Sequence, residues 1–288
     1  MNSKPLVIYH YPCLDGFTAA WAVWKVHPDW EFYQGKHGDA PPDVTGRDVY
    51  MVDFSYKRPI LLEMADKAKS IIILDHHKTA QEDLADLAEE TRTRNITEWF
   101  TGKIEVLFNM DKSGARLAWE YFHPGTFVPE LVKYVEDRDL WRFKYEDTKA
   151  VNAYLFSFDY DFKTWNQLEG EVQVSLDSVI GAGEAITRKQ DKDVLELSQF
   201  AFPMNIAGYT VPTLNVPYTY ASDTGHLLCK GKPFAASFYY DGEGFVFSLR
   251  SDEDGIDVSE IAKKFRGGGH KHAAGFKVFK TMELHLEG

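Results

Sequence analysis

The stretch SIIILDHHKTA, residues 70–80, constrains the fold more than any other part of the chain. Three isoleucines and a leucine run straight into one aspartate and two adjacent histidines. A short apolar run of this kind, bounded by polar residues, reads as a strand buried on both faces. Two segments upstream have the same form. Leu6 to Tyr9 breaks into His10 and then Asp15-Gly16, after which FTAAWAVWKV has helical spacing. Val49 to Val52 leads into Asp53, followed by the helix-like PILLEMADKAKS with Pro59 suited to a first helical turn. Such strands alternating with helices predict an α/β fold with a parallel sheet covered on both faces. Ligands of these sheets sit beyond the carboxyl ends of the strands, so Asp15, Asp53 and Asp75 are expected along one edge.

Further along, DKSGARLAWEYF predicts a helix starting near Ser113, and PELVKYVEDRDLW predicts another that ends in an acidic pair. The text from Asp161 to Phe202 is polar and helix-compatible and reads as a helical connection. The composition then changes. YTVPTLNV, PFAASFYY and GFVFSLRS have strand character, DVSEIAKKF helical character, and AAGFKVF that of a closing strand. These predict a smaller C-terminal α/β domain with a mixed sheet. The longest apolar runs are four or five residues, too short to cross a bilayer, and no charged-then-apolar signal opens the chain, so the expectation is a cytoplasmic protein without membrane contact. Two distant cysteines, Cys13 and Cys229, suggest neither a disulfide framework nor a zinc knuckle. A net charge of -12 disfavours long duplex nucleic acid and leaves short nucleic acids or small phosphorylated ligands.

Four carboxylates are available for one site: Asp15, Asp53, Asp75 and either Asp137 or Asp139 from VEDRDLW. Converging carboxylates repel, and some protonate unless a compensating charge lies between them. Two divalent cations supply that charge. With His10 and His76 nearby, the mixed nitrogen and oxygen donor set suits manganese, and less specifically magnesium, cobalt or iron. Paired metals favour attack of water on phosphorus, so the chemistry suggested is phosphoester hydrolysis.

Taken in order, YHYPCLDGFTAAW, VDFS, LDHHKTA, VEDRDLW and GGGHKHAAGF resemble the five motifs of the DHH phosphoesterases with a C-terminal DHHA1 domain. The resemblance covers nearly the whole chain. It implies a DHH catalytic domain over residues 1–160, a helical connector over 161–204 and a DHHA1 substrate-binding domain over 205–288. It further implies two Mn2+ ions held by His10, Asp15, Asp53, Asp75, His76 and Asp137, with Asp53 bridging and Asp139 as the alternative last ligand. Asp53, Asp75, His76 and His77 carry the implied catalytic roles, His77 as a substrate-facing group that assists protonation. The chain departs from the family at Cys13, which stands where many members have a further aspartate; a soft thiol is a poor ligand for a hard ion.

In AKKFRGGGHKHAAGF, basic residues precede three glycines whose amides can approach an anion closely. Read alone, this is a helix C-cap with solvated lysines. The resemblance assigns Arg250, Gly268, Gly269 and His270 to the phosphate and terminal nucleotide of a substrate. Ser113 and Gly114, at a predicted helix start, offer a further anion site or simply an N-cap. The expected activity is 3′-5′ hydrolysis of short single-stranded RNA or DNA, or of linear dinucleotides, to nucleoside monophosphates, as an oligoribonuclease does. A cyclic dinucleotide or a bisphosphorylated nucleotide such as pAp is the alternative substrate. From another class comes a nucleotide-binding module weakened by Cys13. A homodimer stays open.

Overall fold

The computed structural model describes residues 4–88 and 103–279. The chain forms two compact units, Met1–Thr187 and Arg188–Gly288. In the first, β1 (Leu6–His10), α1 (Leu14–Trp24), β2 (Glu31–Gly35), β3 (Asp48–Val52), α2 (Arg58–Lys67), β4 (Ser70–Asp75), α3 (Lys78–Asp83) and β5 (Ile104–Phe108) build the sheet and its first helices. Then come α4 (Gly114–Phe122), α5 (Glu130–Asp139), α6 (Thr148–Phe156), α7 (Phe162–Val174) and the long α8 (Leu176–Ser198), which runs on into the second unit.

The five strands pair in the order β2-β1-β3-β4-β5, all parallel. The apolar run of β4 is buried on both faces, as its sequence predicts. Ile72 and Leu74 point to one core with Val7, Tyr9 and the α1 residues Phe17 and Trp21. Ile71 and Ile73 point to the other, with Ile8, Met51, Leu61 and Met64. Each of these aliphatic side chains contributes about 1.5–3 kcal/mol by leaving water, and the alternation leaves no register slip that keeps both sets covered. Trp165, Leu168 and Val172 of α7 also join the first core.

In the second unit, β6 (Phe202–Ile206), β7 (Tyr209–Asn215), a 3₁₀ turn (Tyr218–Tyr220), α9 (Ala221–Leu228), β8 (Ala235–Tyr240), β9 (Gly244–Arg250), α10 (Val258–Lys264), β10 (Gly268–Gly269) and β11 (Ala273–Phe279) follow. The sheet order is β10-β11-β9-β8-β7-β6, mixed because only β7 and β8 run parallel. Residues 280–288, the end of the predicted C-terminal domain, lie outside the described residues. No described helix is long and apolar enough to cross a membrane.

Candidate metal centre

β3 ends at Val52, and Asp53 takes a φ of 56°, a left-handed conformation that costs a residue with a Cβ about 1–2 kcal/mol. Its amide still donates to the Leu74 carbonyl at 2.9 Å, so the chain turns out of the sheet without giving up that bond. Asp53 is the member common to three groups of candidate ligands: with His10 and Cys13, with Asp15 and His76, and with Asp75 and His77. In each group the donor atoms lie within 4.8 Å of one another.

His76 sits at the middle of the carboxylates. Its Nε2 is 3.0 Å from Asp53 Oδ1, 3.5 Å from Asp139 Oδ2 and 3.6 Å from Asp15 Oδ2. His10 Nδ1 lies 3.4 Å from the other oxygen of Asp53. Asp75 Oδ1 accepts the His76 amide at 2.7 Å and the His77 amide at 3.2 Å, and meets His77 Nδ1 at 2.7 Å. The adjacent histidines thus divide: His76 is buried among three aspartates, whereas His77 is partly exposed and oriented by Asp75.

Asp15 is fixed by α4. The amides of Gly114 and Ala115 donate to its two oxygens at 2.6 and 3.1 Å, so the helix N-terminus holds a carboxylate of the protein itself. That approach requires glycine: a Cβ on Gly114 would lie 2.4 Å from Asp53 Cβ and 2.8 Å from its Oδ1.

Charge in this cluster is unbalanced. Burial, then the charges of Asp139 and Asp53, push the Asp15 carboxyl well above the usual carboxylate range, and burial also raises Asp139. Burial acts in the same direction on Asp53, but the close imidazoles of His10, His76 and His77 prevail and hold it well below that range. For His76, burial favours the neutral ring; the Asp53 hydrogen bond and the charges of Asp139, Asp53 and Asp15 override it and push the imidazolium up to about 10. Burial, then the charges of Asp53, Asp139 and Asp15, keep Cys13 a neutral thiol. Protons stand here where a cation would serve better. Three buried atoms at the strand ends, His10 Nδ1, Asp53 Oδ2 and Asp75 Oδ2, have no hydrogen-bond partner among the described residues. Buried polar atoms are rarely left so. Hard oxygen and imidazole donors converging with unspent lone pairs fit a divalent cation such as manganese or magnesium.

The strand ends thus bring together His10, Asp15, Asp53, Asp75, His76 and His77, with Cys13 and Asp139 beside them. Asp137 is not among them. Its carboxylate accepts the amides of Lys144 and Tyr145 and the Thr148 hydroxyl, clamping the chain that leaves α5. A helix turns about 100° per residue, so only one of two aspartates two positions apart can face the cluster; that residue is Asp139. Ser113 is also corrected: it is fully buried as the N-cap of α4, its hydroxyl accepting the Arg116 amide at 3.2 Å, and is not placed to meet a substrate.

Within the second unit, Arg250 ends β9 and donates to Ser222 Oγ and to the Leu249 carbonyl, both at 2.8 Å. Its stem crosses Gly225 of α9, where a Cβ would lie 2.6 Å from Arg250 Cγ. Neither Ser222 nor Gly225 carries a recognisable sequence signal. Arg250 pairs with Ala273, the last residue of a tight turn in which the His270 amide donates to the Ala273 carbonyl at 2.7 Å. The three glycines part company. The Gly267 amide closes the end of α10 on the Ala262 carbonyl, with Arg266 in the left-handed position, while Gly268 and Gly269 form β10 against β11. The helix-cap reading therefore accounts for the first glycine, and the other two lead along β11 into the turn of His270, whose last residue, Ala273, pairs with Arg250.

The fold and the centre define a two-unit α/β protein whose first unit gathers histidines and aspartates at the carboxyl edge of a parallel sheet. Residues 227–284 match the DHHA1 domain. The first unit carries the Asp75-His76-His77 sequence, and the match to the DHHA1 domain falls in the second unit. An uncharacterized protein of Acanthamoeba polyphaga mimivirus is 29% identical over 305 residues, covering 94% of this chain; the chain spans only 66% of that relative's length. Two solved structures share the fold. The DHH domain of a member of the s1p family of ribosomal proteins has 16% identity and a TM-score of 0.56, over 96% of this chain and 83% of that one. An exopolyphosphatase-related protein from Bacteroides fragilis has 12% identity and a TM-score of 0.50, over 98% and 88%.

Proposed function

We propose that this protein is a metal-dependent phosphodiesterase that hydrolyses short oligonucleotides or linear dinucleotides to nucleoside monophosphates, from the 3′ end. The observation that carries the reading is Asp53, a buried carboxylate on a left-handed residue, shared by three donor groups and keeping one oxygen without a hydrogen bond. Divalent metal at this position would supply charge neutralisation and activation of water. His10, Asp15, Asp53, Asp75, His76 and Asp139 would hold it.

The chain's own residues do the rest. Asp53 and Asp75 set the geometry, the first through its strained backbone and the second through the two histidine amides it accepts. His77, oriented at Nδ1 by Asp75 and partly exposed, is suited to protonate an oxygen leaving phosphorus. Arg250, Gly268, Gly269 and His270 are assigned to the substrate's phosphate and terminal nucleotide, since the planar fork of a guanidinium matches the oxygens of a phosphate. Manganese is the favoured ion on donor chemistry alone. The Bacteroides fragilis relative bears an exopolyphosphatase-related name, in keeping with phosphorus chemistry.

The test is a panel of di- to decanucleotides and cyclic dinucleotides, assayed with manganese before and after chelation. Turnover should fall as the chain lengthens, vanish with chelator and vanish in Asp53→Ala and Asp75→Ala. Binding of a dinucleotide without turnover under any divalent ion would overturn the enzymatic reading.

A further inference from the structure

A third imidazole stands beside His10 and His77 and belongs to none of the donor groups at the strand ends. His37 follows β2, whose last residue Gly35 pairs with His10 in the sheet and accepts the Tyr11 amide at 3.0 Å. A turn closes immediately after it: the Asp39 amide donates to the Lys36 carbonyl at 3.2 Å and Gly38 has a φ of 98°. The exposed His37 ring stacks on buried Phe54, the residue after Asp53, with centroids 4.9 Å apart and planes 28° apart. Its centroid lies 5.2 Å from that of His10 and 6.3 Å from that of His77, while His10 and His77 are 5.7 Å apart. The three rings form a triangle at the mouth of the centre.

Two features separate His37 from the other two rings. It joins no cluster of close metal-binding atoms, and no hydrogen bond among the described residues engages either of its nitrogens. A ring held by an aromatic face and set in a turn, on an exposed residue, is preorganised to bind something that arrives. What arrives at this centre, on the reading proposed above, carries a phosphate. A neutral imidazole offers one N-H donor, which matches a non-bridging phosphate oxygen.

We infer that His37 is a substrate-contacting residue, whose imidazole donates a hydrogen bond to a non-bridging oxygen of the phosphate group presented to the centre. The inference rests on the phosphoesterase reading for the identity of the ligand, but its binding arm needs no turnover. His37→Ala and His37→Gln are compared with wild type, all loaded with manganese, by calorimetric titration with adenosine 5′-monophosphate, by manganese stoichiometry and by steady-state kinetics on a linear dinucleotide. Loss of one hydrogen bond to a charged acceptor predicts about ten-fold weaker monophosphate binding and a KM raised to match in His37→Ala. His37→Gln, which keeps a donor, should recover most of both, and manganese content should be unchanged in either. Loss of manganese in His37→Ala would overturn the inference by making His37 a ligand, and unchanged monophosphate affinity would overturn it outright. Wild-type protein that binds the monophosphate without hydrolysing anything would sink the enzymatic reading, while the comparison of affinities would still decide the role of His37.

Discussion

Replacing Gly114 by alanine adds one methyl group at the tightest contact of the centre. Gly114 does not occupy the left-handed region, so its backbone suits alanine, and alanine is the better helix former by about 1 kcal/mol. On local grounds the substitution should stabilise the protein. The structure argues the reverse, because the new Cβ would sit 2.4 Å from Asp53 Cβ, 2.8 Å from its Cγ and 2.8 Å from its Oδ1. Carbon atoms pack at about 3.5–4.0 Å, so either Asp53 or the start of α4 must retreat by about 1 Å. If α4 moves, the amides of Gly114 and Ala115 leave the Asp15 carboxylate; if Asp53 moves, its 3.0 Å contact with His76 opens. Overpacking of this kind costs about 1–3 kcal/mol, which for a domain of this size lowers Tm by about 2–12 °C. Displacing a carboxylate of the cluster should also weaken manganese binding by about ten- to a hundred-fold. Thermal unfolding of the metal-free protein and calorimetric titration with manganese measure the two effects separately. A Gly114→Ala variant with a raised Tm and undiminished manganese affinity would show that the close approach of α4 to Asp53 plays no part in shaping the centre.

Two further outcomes follow from the same geometry. Asp139→Asn should lower manganese affinity with little change in Tm, whereas Asp137→Asn should lower Tm by weakening the clamp on Lys144, Tyr145 and Thr148 and leave the metal affinity nearly intact; the reverse pattern would restore Asp137 as the ligand. Protonation of the metal-free protein gives the other. The His76 imidazolium has its pKa raised from 6.5 to about 10 by Asp53, Asp139 and Asp15 against the opposing effect of burial. Its stabilising contribution is complete below about pH 6.5 and is lost as pH rises through about 10. Tm of the metal-free protein should therefore fall between about pH 6.5 and about pH 10, His76→Gln should flatten that slope, and manganese uptake at neutral pH should release protons. Equal slopes in the two proteins, measured by thermal unfolding across that range, would refute the assignment.

Much of this protein is legible in the order of its residues. An apolar run such as Ile71 to Leu74 has one way to satisfy both of its faces, between helices in a parallel sheet, and from that follow the edge on which Asp53 and Asp75 emerge and the company of His10 and His76. The alternation of β8, β9 and β11 likewise announces a second sheet. What local pattern leaves undecided depends on direction and on contacts between distant segments. Asp137 and Asp139 are equivalent in sequence, and only the phase of α5 against the sheet turns one toward His76 and the other into a loop clamp. Ser113-Gly114 reads as a vacant anion site until Asp15, about a hundred residues away in the chain, is found to occupy it. The left-handed turn of Asp53 has no sequence mark either, because aspartate adopts it only where the surrounding packing over-determines it. His37 lies in a polar loop with nothing to distinguish it, and becomes notable once the pairing of β2 with β1 sets its ring beside His10. The sequence by itself thus determined the sheet, its buried strands and the kinds of ligand at their ends, because burial and side-chain chemistry are local properties; the tertiary structure alone decided which oxygens and nitrogens meet, because that depends on how elements remote in the chain pack against one another.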